Sequence, residues 1–173
     1  MVEYAYPSLG AALHAAFSPS QPYYGSGSLR AYTGTTSAPS ELNALDRGAQ
    51  AALVYAMLSR ELSAERFAML AAKYLPAREE AELEQKIAYV GTVARQLSAE
   101  CLVDESLTND VVMRLVMLEP VGHYSYDWAR WLDVSPATVY RHADKVKKAW
   151  YARMDAIFER LAHQFDVLHI APF

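Results

Sequence analysis

The chain has 173 residues and a formal net charge of −4, a balance that excludes a histone-like protein coating nucleic acid everywhere. Its length buries one sizeable core or two small ones. One cysteine, Cys101, excludes an intramolecular disulfide and any zinc site built from several thiolates, which fits a reducing compartment. Although 53% of the residues are hydrophobic, no uninterrupted apolar run approaches the roughly 20 residues of a membrane-spanning helix. The first residues lack the basic flank of a secretory signal, so the cytoplasm is the expected location and no membrane partner is expected.

Residues 1–39 are rich in Ser, Gly, Pro, Thr and Tyr, with Pro19, Pro22, Gly25, Gly27, Gly34 and Pro39 breaking any long period. They read as an irregular arm with one short helix near Leu9 to Phe17. Five tyrosines, Tyr4, Tyr6, Tyr23, Tyr24 and Tyr32, exceed what a solvating tail needs, so the arm is expected to pack on the body or on a partner. Arg30 is the one basic residue beside them, which makes stacking on single-stranded nucleic acid a weak reading.

Residues 40–119 read as a helical body. Ser40 caps a helix with Leu42, Leu45, Ala49, Leu53, Ala56 and Met57 at helical spacing, and Ser63 caps a second with Phe67, Leu70, Ala71 and Tyr74 on one face. Pro76 ends the second helix. A third is expected from about Arg78 to Leu97 on the stripe Leu83, Ile87, Val90 and Ala94. A fourth begins near Thr108 and carries Val111, Val112, Leu115, Val116 and Leu118 to a break at Pro120 and Gly122. These stripes are core faces of amphipathic helices, not cofactor-contacting boxes.

Residues 120–173 hold the most informative stretch, Trp128 to Trp150, in which a short apolar helix, a tight turn and a basic second helix follow one another. Asp133 and Val134 interrupt the period, Ser135 supplies an N-cap oxygen, and Pro136 fits a first helical position that needs no amide donor. Ala129, Leu132, Val134 and Val139 form the expected internal core. That is the pattern of a helix-turn-helix, in which the second helix enters a DNA groove. The candidate base-facing residues are Ser135, Ala137, Thr138, Tyr140, Arg141 and His142, and Lys145, Lys147 and Lys148 are the candidates for phosphates. Charge is distributed accordingly: residues 41–119 carry eight basic and thirteen acidic side chains, a net −5, whereas residues 136–154 carry a net +4. The plainer alternative is a well-capped, solvated surface helix. Asp133 stands where the turn commonly has Gly, and Asp127 and Asp133 oppose Arg130 in the first helix.

Beyond the motif, Val139, Ala143, Val146, Trp150, Met154, Ile157, Leu161 and Phe165 recur every three or four positions. The second helix therefore runs on for about 30 residues, or roughly 45 Å, and packs on the body or on a second copy of the chain. The expected architecture is all-α, a multi-helix body with a C-terminal helix-turn-helix whose second helix is long.

No enzyme constellation is present in the sequence. His163, Asp166 and His169 share a spacing of three that suits metal ligands, but they read as a polar stripe at a helix end. His142 and Asp144, two apart, point to different sides of a helix. Glu79, Glu80, Glu82 and Glu84 read as a solvated face near a helix start, where the macrodipole favours negative charge. No phosphate-cradling glycine loop, nucleophile elbow or paired-cysteine spacing occurs, so neither a cofactor nor a metal is expected.

From Tyr124 to about Leu161 the chain resembles the DNA-binding module of sigma factor region four. Together with LDRGAQAALVYAML and ERFAMLAAKYLP upstream, it resembles the Q-type late-gene antitermination proteins of tailed phages. Some of those carry a cysteine zinc site, which a chain with Cys101 alone does not. The resemblance implies transcription regulation by binding double-stranded DNA near a late promoter, engagement of RNA polymerase with its sigma factor, and read-through of terminators. A helix-turn-helix repressor or activator, a small terminase subunit and a purely structural protein remain the competing expectations.

Overall fold

The computed structural model describes residues 4–18, 44–117 and 126–172. The chain is all-α: among these residues there are seven helices and no strand. In chain order they are α1 (Leu9–Phe17), α2 (Ala44–Glu61), α3 (Ala64–Tyr74), α4 (Glu80–Cys101), α5 (Glu105–Met117), α6 (Tyr126–Trp131) and α7 (Pro136–Val167). None is long and apolar enough to cross a membrane. The chain forms two compact units: Met1–Glu61 with Phe158–Phe173, and Leu62–Ile157.

The first unit joins both ends of the sequence. Ser8 caps α1 by accepting from the Ala11 amide at 3.2 Å, and α1 buries Ala12, Leu13, Ala16 and Phe17. The Phe17 ring meets Tyr55 of α2 edge-on, with centroids 5.5 Å apart. Residues 4–6 run beside the C-terminal tail: the Ala5 and Tyr6 amides donate to the carbonyls of His169 and Ile170 at 3.3 and 2.8 Å. Leu161, Ala162 and Phe165 bring the end of α7 into this core. The tyrosines Tyr23, Tyr24 and Tyr32 lie outside the described residues, as do Ser40 and Leu42.

The α2 stripe departs from the expected phase. Ala51, Val54 and Leu58 are buried, while Ala49, Leu53 and Ala56 are exposed. The reason is that AALVYAML is apolar on nearly every side, so two phases fit the same period and packing, not pattern, chooses between them.

In the second unit the capping residues work as expected where the sequence named them. Ser63 accepts from the Arg66 amide at 3.4 Å, and α3 ends at Tyr74, two residues before Pro76. Glu82 accepts from the amides of Arg78 and Glu79, so part of the glutamate cluster is a device for starting α4. That helix continues to Cys101, four residues past the expected end. Of its expected stripe, Val90 and Ala94 are buried but Leu83 and Ile87 are exposed, because Lys86 occupies the inward position. The Lys86 ammonium donates to the Leu75 carbonyl at 2.8 Å, satisfying an orphan acceptor beyond the end of α3. Burial holds Lys86 below the usual lysine range. Helix α5 starts at Glu105, earlier than Thr108, because Asp104 Oδ1 accepts from the amides of Ser106 and Leu107 at 2.9 and 3.0 Å. Val111, Val112 and Val116 are buried as the stripe requires, and Leu118, Pro120 and Gly122 lie outside the described residues.

All eight apolar positions of the α7 stripe, from Val139 to Phe165, are buried. The helix has 32 residues. Its periodicity was unambiguous because charged residues occupy the opposite side.

Candidate nucleic-acid interface

Between α6 and α7 the chain turns within Leu132 to Ser135. The turn needs one residue in the left-handed region, and Asp133 takes it, with φ at 52°. This is the position that commonly carries Gly; aspartate tolerates it better than most L-residues because its short polar side chain hydrogen-bonds locally. The Val134 amide then donates back to the Ala129 carbonyl at 3.0 Å, closing the end of α6. Ala129 and Val139 are buried, whereas Leu132 and Val134 are half-buried, so the expected internal core is formed most fully by the first pair.

Ser135 opens α7. Its Oγ accepts from the Thr138 amide at 3.2 Å and lies 2.9 Å from Thr138 Oγ1. Pro136 occupies the first helical position. Arg141 folds back over this first turn, donating from Nη2 to Thr138 Oγ1 at 3.1 Å and from Nε to the Ala137 carbonyl at 3.4 Å. Ser135, Thr138 and Arg141 thus form one hydrogen-bonded strip. Ala137, Tyr140 and Arg141 are exposed, and His142 is half-buried on the shoulder of the helix.

The three lysines have different surroundings. Lys145 donates to the Cys101 carbonyl at 2.6 Å, serving the C-terminal end of α4. Lys148 pairs with Asp144 at 2.7 Å, an exposed i,i+4 contact that reduces its net field. Lys147 is half-buried. Helical periodicity sets Ala137, Arg141, Asp144 and Lys148 along one outward line. Arg153 pairs with Glu100, a second link between α7 and the end of α4.

One residue beside the turn escaped the sequence reading. Trp131 is 64% exposed and stacks edge-on against Trp128, with centroids 5.3 Å apart. The spacing of three between two tryptophans in so short a helix was the available signal, since a six-residue helix does not bury both.

The other polar groups singled out from sequence sit elsewhere. Asp166 accepts from the Tyr4 hydroxyl at 2.6 Å, and that hydrogen bond holds the phenol above its ordinary range. His163 and His169 are exposed, and among the described residues no three metal-ligating side chains converge. Cys101 is buried, and burial pushes its thiol up, away from nucleophilic use.

No protein family, curated protein or solved structure matches this chain.

Proposed function

We propose that the chain is a transcription antitermination factor that binds double-stranded DNA through Trp128 to Trp150 and acts on RNA polymerase and its sigma factor. The observation that carries the DNA-binding part is the turn at Asp133. A left-handed residue, closed by the Val134 to Ala129 hydrogen bond, delivers the chain into a Ser135-capped helix whose inner face is buried and whose first turns face outward. That is what a helix-turn-helix requires of its reading helix. The antitermination part rests on the resemblance of this segment to sigma factor region four and of the upstream helices to Q-type proteins.

In this reading Arg141 meets a base edge. Its guanidinium is held over the first turn by Thr138, which reduces the rotamer freedom lost on docking. Lys147 and Lys148 approach phosphates. Lys145, tied to Cys101, orients the helix and contributes less to the contact.

The deciding experiment is transcription in vitro from a template carrying the native upstream DNA and a terminator. Read-through that needs both the protein and a DNA element is expected; altered initiation with normal termination would make the protein a repressor or activator instead. Arg141→Ala should weaken specific binding by about 1 to 3 kcal/mol if it reads guanine. Lys147→Ala should lower affinity almost equally on all sequences and reduce the salt slope by about one. Equal binding of the Arg141→Ala variant and the parent would remove Arg141 from the interface.

A further inference from the structure

Beyond its first turns α7 carries a second phenol on the side that Tyr140 occupies. Tyr140, Lys147 and Tyr151, at spacings of seven and four, fall on one flank of the helix. Tyr140 and Tyr151 are 46% and 48% exposed, while the neighbouring Val139 and Trp150 are buried, so both rings turn away from the core. Phenol hydroxyls and ammonium groups in such a line are hydrogen-bond donors, the complement of a phosphate oxygen.

Charge identifies the occupant. From Arg141 to Lys148 the helix carries four bases and one acid, Asp144, which Lys148 meets at 2.7 Å. The next acids on α7, Asp155 and Glu159, are exposed and begin one turn after Tyr151, so the stretch that favours an anion ends at Tyr151. Segments 19–43 and 118–125, outside the described residues, contain one acid each, Glu41 and Glu119, too few to neutralise it. Length then places the contact. Tyr151 lies eleven residues beyond Tyr140, roughly 16 Å along the helix, whereas the major groove of B-DNA is about 12 Å wide. With Tyr140 and Arg141 at base edges, Tyr151 lies beyond the groove and within reach of a phosphate on its rim.

We propose that Tyr151 is a phosphate contact that extends the DNA interface three turns past the reading residues, its hydroxyl donating to a backbone oxygen with Lys147 one turn before it. Such a contact rests on the DNA-binding reading and adds to it a residue that fixes the helix on the duplex without reading sequence.

Phosphate-ethylation interference on the native upstream duplex, together with equilibrium binding at fixed salt, tests it with the full chain. For the parent, ethylation of a phosphate flanking the base-read steps should weaken binding. Tyr151→Phe keeps the ring and removes the donor. It should bind about 5- to 10-fold more weakly, on native and random-sequence duplexes alike, and ethylation of that one phosphate should no longer matter. Tyr151→Glu, which sets a carboxylate against the phosphate, should weaken binding by on the order of 100-fold. Because Tyr151 is exposed, the helical circular dichroism of both variants should equal the parent's, which separates loss of contact from loss of folding. Equal affinity and an unchanged interference pattern in Tyr151→Phe, as would follow if the chain's own residues covered Tyr151, overturn the contact and leave the DNA-binding reading standing. Weaker binding with every interfering phosphate retained overturns it too, since Tyr151 would then act through the fold. Read-through lost from Tyr151→Phe at unchanged DNA affinity would give this flank to polymerase instead. A parent that binds no duplex overturns both the contact and the reading beneath it.

Discussion

Leu102 follows the last residue of α4 with φ at 52° and is 84% exposed. A leucine there suffers the left-handed clash between its Cβ and the following carbonyl and gains little burial in return. The conformation persists because the Val103 amide closes on the Ser98 carbonyl at 3.1 Å. Leu102→Gly should therefore stabilise the chain by about 0.5 to 1 kcal/mol in urea denaturation, the relief of the clash exceeding the extra entropy of glycine. A lower midpoint would mean that the side chain contributes packing. Lys86 is a second residue at which local chemistry opposes the pattern. It is 5% exposed, and desolvation lowers its pKa. The folded chain thus releases this proton at lower pH than the unfolded chain, so the unfolded state binds more protons in between. Stability rises with pH across that window, up to the usual lysine range. Lys86→Met should remove this part of the slope, read as the difference between parent and variant in denaturation series from neutral to alkaline pH. An identical slope in both would show that Lys86 keeps its proton.

At the scale of elements, caps and breaks were legible in the sequence because each depends on a few neighbouring residues. Ser63, Pro76, Ser135 and Pro136 all stand where their chemistry demands. The α7 stripe was legible too, since its charged side leaves one phase. What eluded the pattern depended on distant packing: the phase of α2, where both sides are apolar, and the outward turn of Leu83 and Ile87, which follows from Lys86 reaching Leu75. In the candidate site, the Asp133 turn and the Ser135 cap were readable, but the diversion of Lys145 to Cys101 was not, because the two are 44 residues apart. The cap itself is open to measurement. Ser135→Ala removes an acceptor for the Thr138 amide and should cost about 1 kcal/mol. It also removes the 2.9 Å contact to the Thr138 hydroxyl, the atom that receives Arg141, so under the proposed DNA-binding role affinity should weaken by more than stability alone explains. Binding that tracks only the folded fraction would assign Ser135 a purely structural part.

Considered whole, the molecule distributes one helix between two units, the boundary falling between Ile157 and Phe158. Ending the chain after Ile157 removes Leu161, Ala162 and Phe165 from the first core together with the Tyr4 to Asp166 hydrogen bond. Hydrogen exchange should then show α1 and α2 unprotected while α3, α4 and α5 stay slow. Uniform loss of protection would mean that the two units fold as a single cooperative body.

The discontinuity of the first unit has a temporal side. Residues 62–157 are contiguous and are synthesised before 158–172, whereas α1 and α2 leave the ribosome early and wait for 158–172 to supply Leu161 and Phe165. During that interval their apolar faces are open to water and to chaperones. A chain that stops just after Ile157 would thus have an assembled middle and a sticky beginning, a natural substrate for cellular quality control.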